Sequence, residues 1–206
     1  MKISLDNIFP LIVPASYNSK AWSLPHYKLP NPSFILTWVT FGSGASMSYF
    51  TQEQYQSLTS SNVGWQQVSF ENLRKSIGDN ENFFTQYKMS SDGHRLIFLA
   101  FMNGDGIGSS RILLADELRK AFPHGYYLAF PDRSCGLVVG KDITDMELNE
   151  TRKLVKSMYR GATTPMSGEL HQADDVSLPA DWTQPVDPEF SGLLSNEISK
   201  LRTVSL

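Results

Sequence analysis

Residues 103–111 read NGDGIGSSR, a run in which turn-forming residues lead into two hydroxyls and a cation directly after an apolar stretch. Two chemistries fit that pattern. The free N–H groups at the start of a helix, joined by Ser109, Ser110 and Arg111, could hold a phosphate or a carboxylate, because that end of a helix carries unpaired donors and partial positive charge. Asn103-Gly104 and Asp105-Gly106 could equally be plain turns, with Ser109 or Ser110 capping the helix that follows. A second cation, Arg133, sits in PDRS at 131–134 and would join Arg111 in a small basic notch if the two turns share a rim. Asp105, Glu117 and Asp132 are the carboxylates that could pair with those arginines instead.

The usual signatures of a catalytic or cofactor loop are missing from the sequence. No Lys-Ser/Thr follows the glycines as a P-loop requires, and G-x-G-x-G differs from the dinucleotide fingerprint G-x-G-x-x-G. Asn103 and Asp105 begin like a calcium loop, but the position that a closing glutamate would take is Leu114. No G-x-S-x-G elbow or other triad motif can be placed. Cys135 follows His124 across an expected strand and could be a nucleophile, yet a cysteine between two strands reads first as a small packing residue. His26, His94, His124 and His171 never fall at ligand spacing. The reading is therefore no catalytic set, no metal and no cofactor.

The elements that must position these residues follow from pattern. FILTWVTF at 34–41 is apolar on both faces and reads as a central strand, with SMSYF at 46–50 returning after the GSG at 42–44. Thr51 with Gln54, and Thr144 with Glu147, are capping-box pairs that start helices. Helices are expected at 65–77, 109–121 and 144–160, the last burying Leu148, Val155, Met158 and Tyr159. SSDG turns one strand into a second at 95–102, whose two apolar faces both need cover. Strands follow at 126–130 and 137–140 around the PDRSCG turn. The proline-rich stretch 14–33 cannot be a long helix, and residues 1–33 read as an irregular lead-in. The fold class is α+β: residues 1–160 form one domain with a mainly antiparallel sheet of five or six strands, and 161–206 form an extended arm that ends in a short helix from Pro188 through Leu194 and Leu201.

Composition bounds the function. The 206 residues carry a net charge of −3, with 41% hydrophobic and 19% charged residues, and there is no run of Lys or Arg. That argues against a protein built to neutralise nucleic-acid phosphate. No apolar stretch is long enough to span a membrane. One cysteine and an opening apolar run broken by Asp6 and Pro10 point to a cytoplasmic protein without a signal segment.

In order of features, ENLRKSI, an apolar strand, DGIGSSRILL with its helix, and LAFPDRSCGLVVG, residues 68–141 resemble the bacterial YtpQ-like family of uncharacterised proteins. The resemblance implies an α+β fold and places Asp105, Ser110, Arg111 and Arg133 near one another; it implies no reaction.

The function expected from all this is a non-enzymatic protein-interaction module, an adaptor, inhibitor or immunity-type protein. Trp182, Phe190 and Leu194 on the arm would meet a partner protein or a second copy. An arm folded back on its own domain is the alternative for those residues. The alternative function is an enzyme or binding protein for a phosphorylated or carboxylated small molecule held at 104–111.

Overall fold

The computed structural model describes residues 4–42, 46–61, 64–78 and 84–204. The α+β class holds, but the strands divide between two antiparallel sheets of four and five strands instead of forming one. The first sheet is built on β3 (Phe34–Phe41). Along one side of β3 runs β1 (Ile8–Pro14), and the other side is shared by β2 (Tyr27–Lys28) and β4 (Met47–Tyr49). Part of the lead-in is thus a strand. Its prolines, Pro10 and Pro14, are tolerated because β1 lies at the sheet edge, where a missing N–H breaks no further ladder. The turn expected at 42–44 lies partly outside the described residues.

The helices follow their capping signals. α1 (Gln52–Ser60) and α4 (Asp145–Arg160) both begin on complete capping boxes, at Thr51/Gln54 and Thr144/Glu147. α2 (Trp65–Gly78) packs on β1. The second sheet runs β5 (Gln86–Met89), β6 (Leu96–Phe101), β8 (Cys135–Gly140), β7 (Tyr126–Asp132), β9 (His171–Gln172) in space. Gly93, at φ +71°, closes the β5–β6 hairpin as the Asp-Gly pair predicts.

Alternation in this sheet separates two cores. Leu99, Phe101, Leu128, Phe130 and Val138 join the first sheet in the main core, whereas Ala100, Ala129, Cys135 and Leu137 face Val155 of α4. Small residues on that second face let α4 lie close. Of the helix positions expected inside, Val155 is buried, Leu148 and Met158 are half-buried, and Tyr159 is exposed. Thr151 is buried in their place because its hydroxyl donates to the Glu147 carbonyl one turn back, which satisfies the only group that would resist burial.

The helix expected over 109–121 is split. Gly108–Leu113 form a 3-10 turn, and α3 covers only Ala115–Ala121. The reason is proximity: the turn touches β8 and β6 of one sheet and β1 of the other. A Cβ on Gly108 would stand 2.1 Å from the Ser134 carbonyl oxygen and 2.4 Å from that of Phe101. Two backbones occupy the space that an α-helical turn with side chains would need. Beyond α4, the C-terminal segment is irregular in path but lies on the domain. It carries a short α5 (Ala180–Thr183) and α6 (Leu193–Val204), and Val176, Leu194 and Ile198 belong to the main core.

Gly108→Ala should lower the unfolding free energy by at least about 3 kcal/mol, since backbone cannot yield as a side chain can. Gly104, at φ +76° with no atom near its would-be Cβ, should cost only about 1 kcal/mol as alanine. Urea unfolding of both variants measures the difference, and a loss in Gly108→Ala no larger than in Gly104→Ala would show that the backbones beside Gly108 give way.

Candidate functional site

The 103–111 loop delivers its turns as the sequence predicts, with Gly104 and Gly106 both at positive φ, +76° and +77°. Its chemistry is turned inward. Arg111 is fully buried and meets Asp105 with two bonds, Nη2 to Oδ2 at 2.6 Å and Nη1 to Oδ1 at 3.2 Å. Nη2 also reaches the Ser76 hydroxyl at 3.4 Å, near the end of α2. Asp105 accepts the Ile107 N–H at 3.1 Å as well, so one carboxylate fixes both the loop and the arginine. The possible Arg111–Asp105 charge pair is therefore formed.

Ser109 and Ser110 are fully buried, but neither hydroxyl caps a helix: both lack a hydrogen-bond partner. The residue preceding the 3-10 turn is Ile107, which offers no side-chain cap. Arg133 comes near through its backbone, its carbonyl accepting the Ser109 N–H at 3.2 Å. Its Nε is buried and unpartnered. Asp132 serves neither arginine. It accepts from the N–H and hydroxyl of Ser134 and from the N–H and hydroxyl of Thr164, which ties the β7–β8 hairpin to the chain after α4. Burial pushes its carboxyl up, but those four bonds outweigh burial and hold it below the usual carboxylate range.

Cys135 is buried beneath α4, and burial pushes its thiol up to about 12. His124 is exposed ahead of β7, at the opposite end of a seven-residue strand and so about 20 Å away along the chain. The two cannot act as nucleophile and base.

The arm residues are also brought home. Trp182 stacks edge-on against Tyr27 at 5.0 Å and Trp38 at 5.9 Å. Phe190 lies under the Lys75 ammonium at 5.5 Å. Leu194, expected at an interface, is fully buried in the main core instead, because α6 packs on α3. The segment is fastened by three buried charges, Glu71, Arg74 and Glu117, the last expected from sequence as a partner for Arg111 or Arg133 and used here on backbone instead. Arg74 donates to the Thr183 carbonyl, and Glu71 accepts the N–H groups of Val186 and Asp187 at 3.3 and 3.2 Å. Both oxygens of Glu117 accept the Gly192 N–H, at 2.8 and 2.9 Å. The Glu71/Arg74 spacing of one helical turn was a visible pair signal; that its partner is backbone more than 100 residues away was not.

What remains open at the surface lies elsewhere. The outer side of α4 exposes Arg152, Lys153, Lys156 and Arg160, and a cavity lies between α3 and the C-terminal segment. Among the described residues no cluster of three His, Cys, Asp or Glu could hold a metal ion, and no helix is long and apolar enough to cross a membrane. No protein-family model matches the chain, and neither a curated protein nor a solved structure does.

Asp105→Asn should destabilise by about 3 kcal/mol or more, because it strands a fully buried guanidinium. Arg111→Met should cost clearly less, since the Asp105 it leaves behind is partly exposed and can hydrate. Thermal unfolding of the two variants gives the order, and a larger loss in Arg111→Met would contradict it. Iodoacetamide should leave native Cys135 unmodified at neutral pH and label it once the chain is unfolded, as mass spectrometry would read.

Proposed function

We propose that the chain is a non-enzymatic protein-interaction module of the adaptor, inhibitor or immunity kind, and that it meets its partner through the outer side of α4. The observation that carries this reading is the charge there. Arg152, Lys153, Lys156 and Arg160 fall within an arc of about 100°, opposite buried Thr151 and Val155. Lys156 stands 4.0 Å from Glu169, and among the described residues none of the other three enters an ion pair. Part of this charge suits the C-terminal end of any helix. Four exposed cations on one face of a chain of net charge −3, three of them outside any ion pair among the described residues, go beyond that and fit an acidic protein surface. Met146, Leu154 and Tyr159, all exposed on the same helix, supply the apolar and aromatic contacts that interfaces favour.

On this reading the docking surface lies on the domain and not on the arm. The inward use of Arg111, Asp132 and Cys135 supports a binding role over a catalytic one. A bacterial, cytoplasmic protein of the YtpQ-like kind belongs to the same proposal, resting on residues 68–141 and on a single buried thiol.

A specific observation favours the second reading, an enzyme or binding protein for a phosphorylated or carboxylated molecule. Asn103 Oδ1, Ser109 Oγ, Ser110 Oγ, Arg111 Nε and Arg133 Nε are all buried without a partner, and all belong to the loop or the turn beside it. Calorimetry with inorganic phosphate tests it: saturable binding that Arg133→Ala abolishes would move the function to the loop.

For the first reading, affinity capture from the source cells compares the wild type with the quadruple variant Arg152→Glu, Lys153→Glu, Lys156→Glu, Arg160→Glu. An acidic protein should be retained by the wild type, released by high salt and lost by the variant. Retention unchanged by charge reversal, or retention of nucleic acid alone, would overturn the reading.

A further inference from the structure

A cavity of about 250 Å³ opens between the 3-10 turn and α3 on one side and residues 173–184 of the C-terminal segment on the other. Ile112, Leu128 and Val176 give it apolar walls. Tyr126 lines it too, only 4% exposed, and its hydroxyl makes no hydrogen bond among the described residues. The ring is sealed in the core while the hydroxyl is reached by solvent from the cavity, so a polar group that enters can take the place of water on it.

Asp116, Arg119 and the exposed Asp174 are its charged lining, beside the polar Ser177, Thr183 and Gln184, and all three charges act electrostatically on the Tyr126 hydroxyl. Arg119 is engaged by Asp116 at 2.7 Å. Asp174 enters no ion pair among the described residues. Two carboxylates against one guanidinium leave the site with a net negative charge, and the negative group without a partner is Asp174. Burial, with the two aspartates, pushes the Tyr126 hydroxyl up, so it stays neutral and can accept as well as donate.

We propose that this cavity binds a small organic cation, a primary ammonium carrying an apolar group. The ammonium donates to the Asp174 carboxylate and to the Tyr126 hydroxyl oxygen, and the apolar group lies against Ile112, Leu128 and Val176. An anion would face the unpaired carboxylate, and a purely apolar ligand would displace water from the Tyr126 hydroxyl without replacing its hydrogen bond. The site lies on the main-core side of the five-stranded sheet, away from α4, and so does not rest on the docking surface proposed above.

Calorimetric or NMR titration of the full chain with phenethylammonium and n-butylammonium tests the site, with phenethyl alcohol and 3-phenylpropionate as neutral and anionic counterparts. At least one ammonium should bind saturably, about tenfold or more tighter than either counterpart. Asp174→Asn should weaken it by about tenfold, and Tyr126→Phe by several-fold. Both substitutions remove groups without a partner in the fold, and unchanged circular dichroism would verify that the variants are intact. Failure of both ammonium probes to bind the wild type, equal binding of the alcohol, or an affinity untouched by Asp174→Asn would each overturn the proposal.

Discussion

Where the 3-10 turn at Gly108–Leu113 crosses β8, the two backbones approach so closely that neither Gly108 nor Gly136 has room for a Cβ; on Gly136 it would stand 2.8 Å from the Gly108 carbonyl oxygen. Much else depends on that approach. It holds the turn against the five-stranded sheet while its other side touches β1, so a single short element joins both sheets to one core. It also drives Arg111 inward, where a guanidinium is stable only because Asp105 meets it with both oxygens. The acidic residue in the glycine-rich loop is thus explained by a demand made from the core, not by a ligand outside.

The same logic recurs at the C-terminal segment on a larger scale. Glu71, Arg74 and Glu117 are buried charges whose main partners are backbone groups of residues 183–192. A carboxylate accepting N–H groups is well satisfied, and the irregular segment has its own polar backbone paired without a sheet. With the segment held there, Leu194 and Ile198 complete the core. The segment seals α2 and α3 at its far end but passes over Leu128 and Tyr126 without filling the space, and the cavity is what that path leaves.

Sheet alternation then determines what is left for the outside. Small residues at Ala100, Ala129 and Cys135 let α4 settle on the second face, which removes the thiol from chemistry and turns four cations outward. Of these four, Arg152, Lys153 and Arg160 enter no ion pair among the described residues.

Sequence pattern by itself determined the local elements. Apolar runs, capping boxes at Thr51 and Thr144 and the Asp-Gly turn at Gly93 act over a few residues, so β3, β6, α1, α2 and α4 could be read directly. The α+β class follows from their order. The strand at Ile8–Pro14 was hidden because its prolines argue against pairing until the strand is known to lie at an edge. The split of the 109–121 helix was hidden because its cause, the Ser134 and Phe101 carbonyls, lies on other strands. Loop residues 103–111 announced their turns, yet whether Arg111 faced solvent or Asp105 was decided by burial, which no spacing encodes. Tyr126, Asp116 and Asp174 share no motif at all. Only the return of the C-terminal segment across α3 brings them together, because long-range packing sets which charges are satisfied inside and which are left for a ligand.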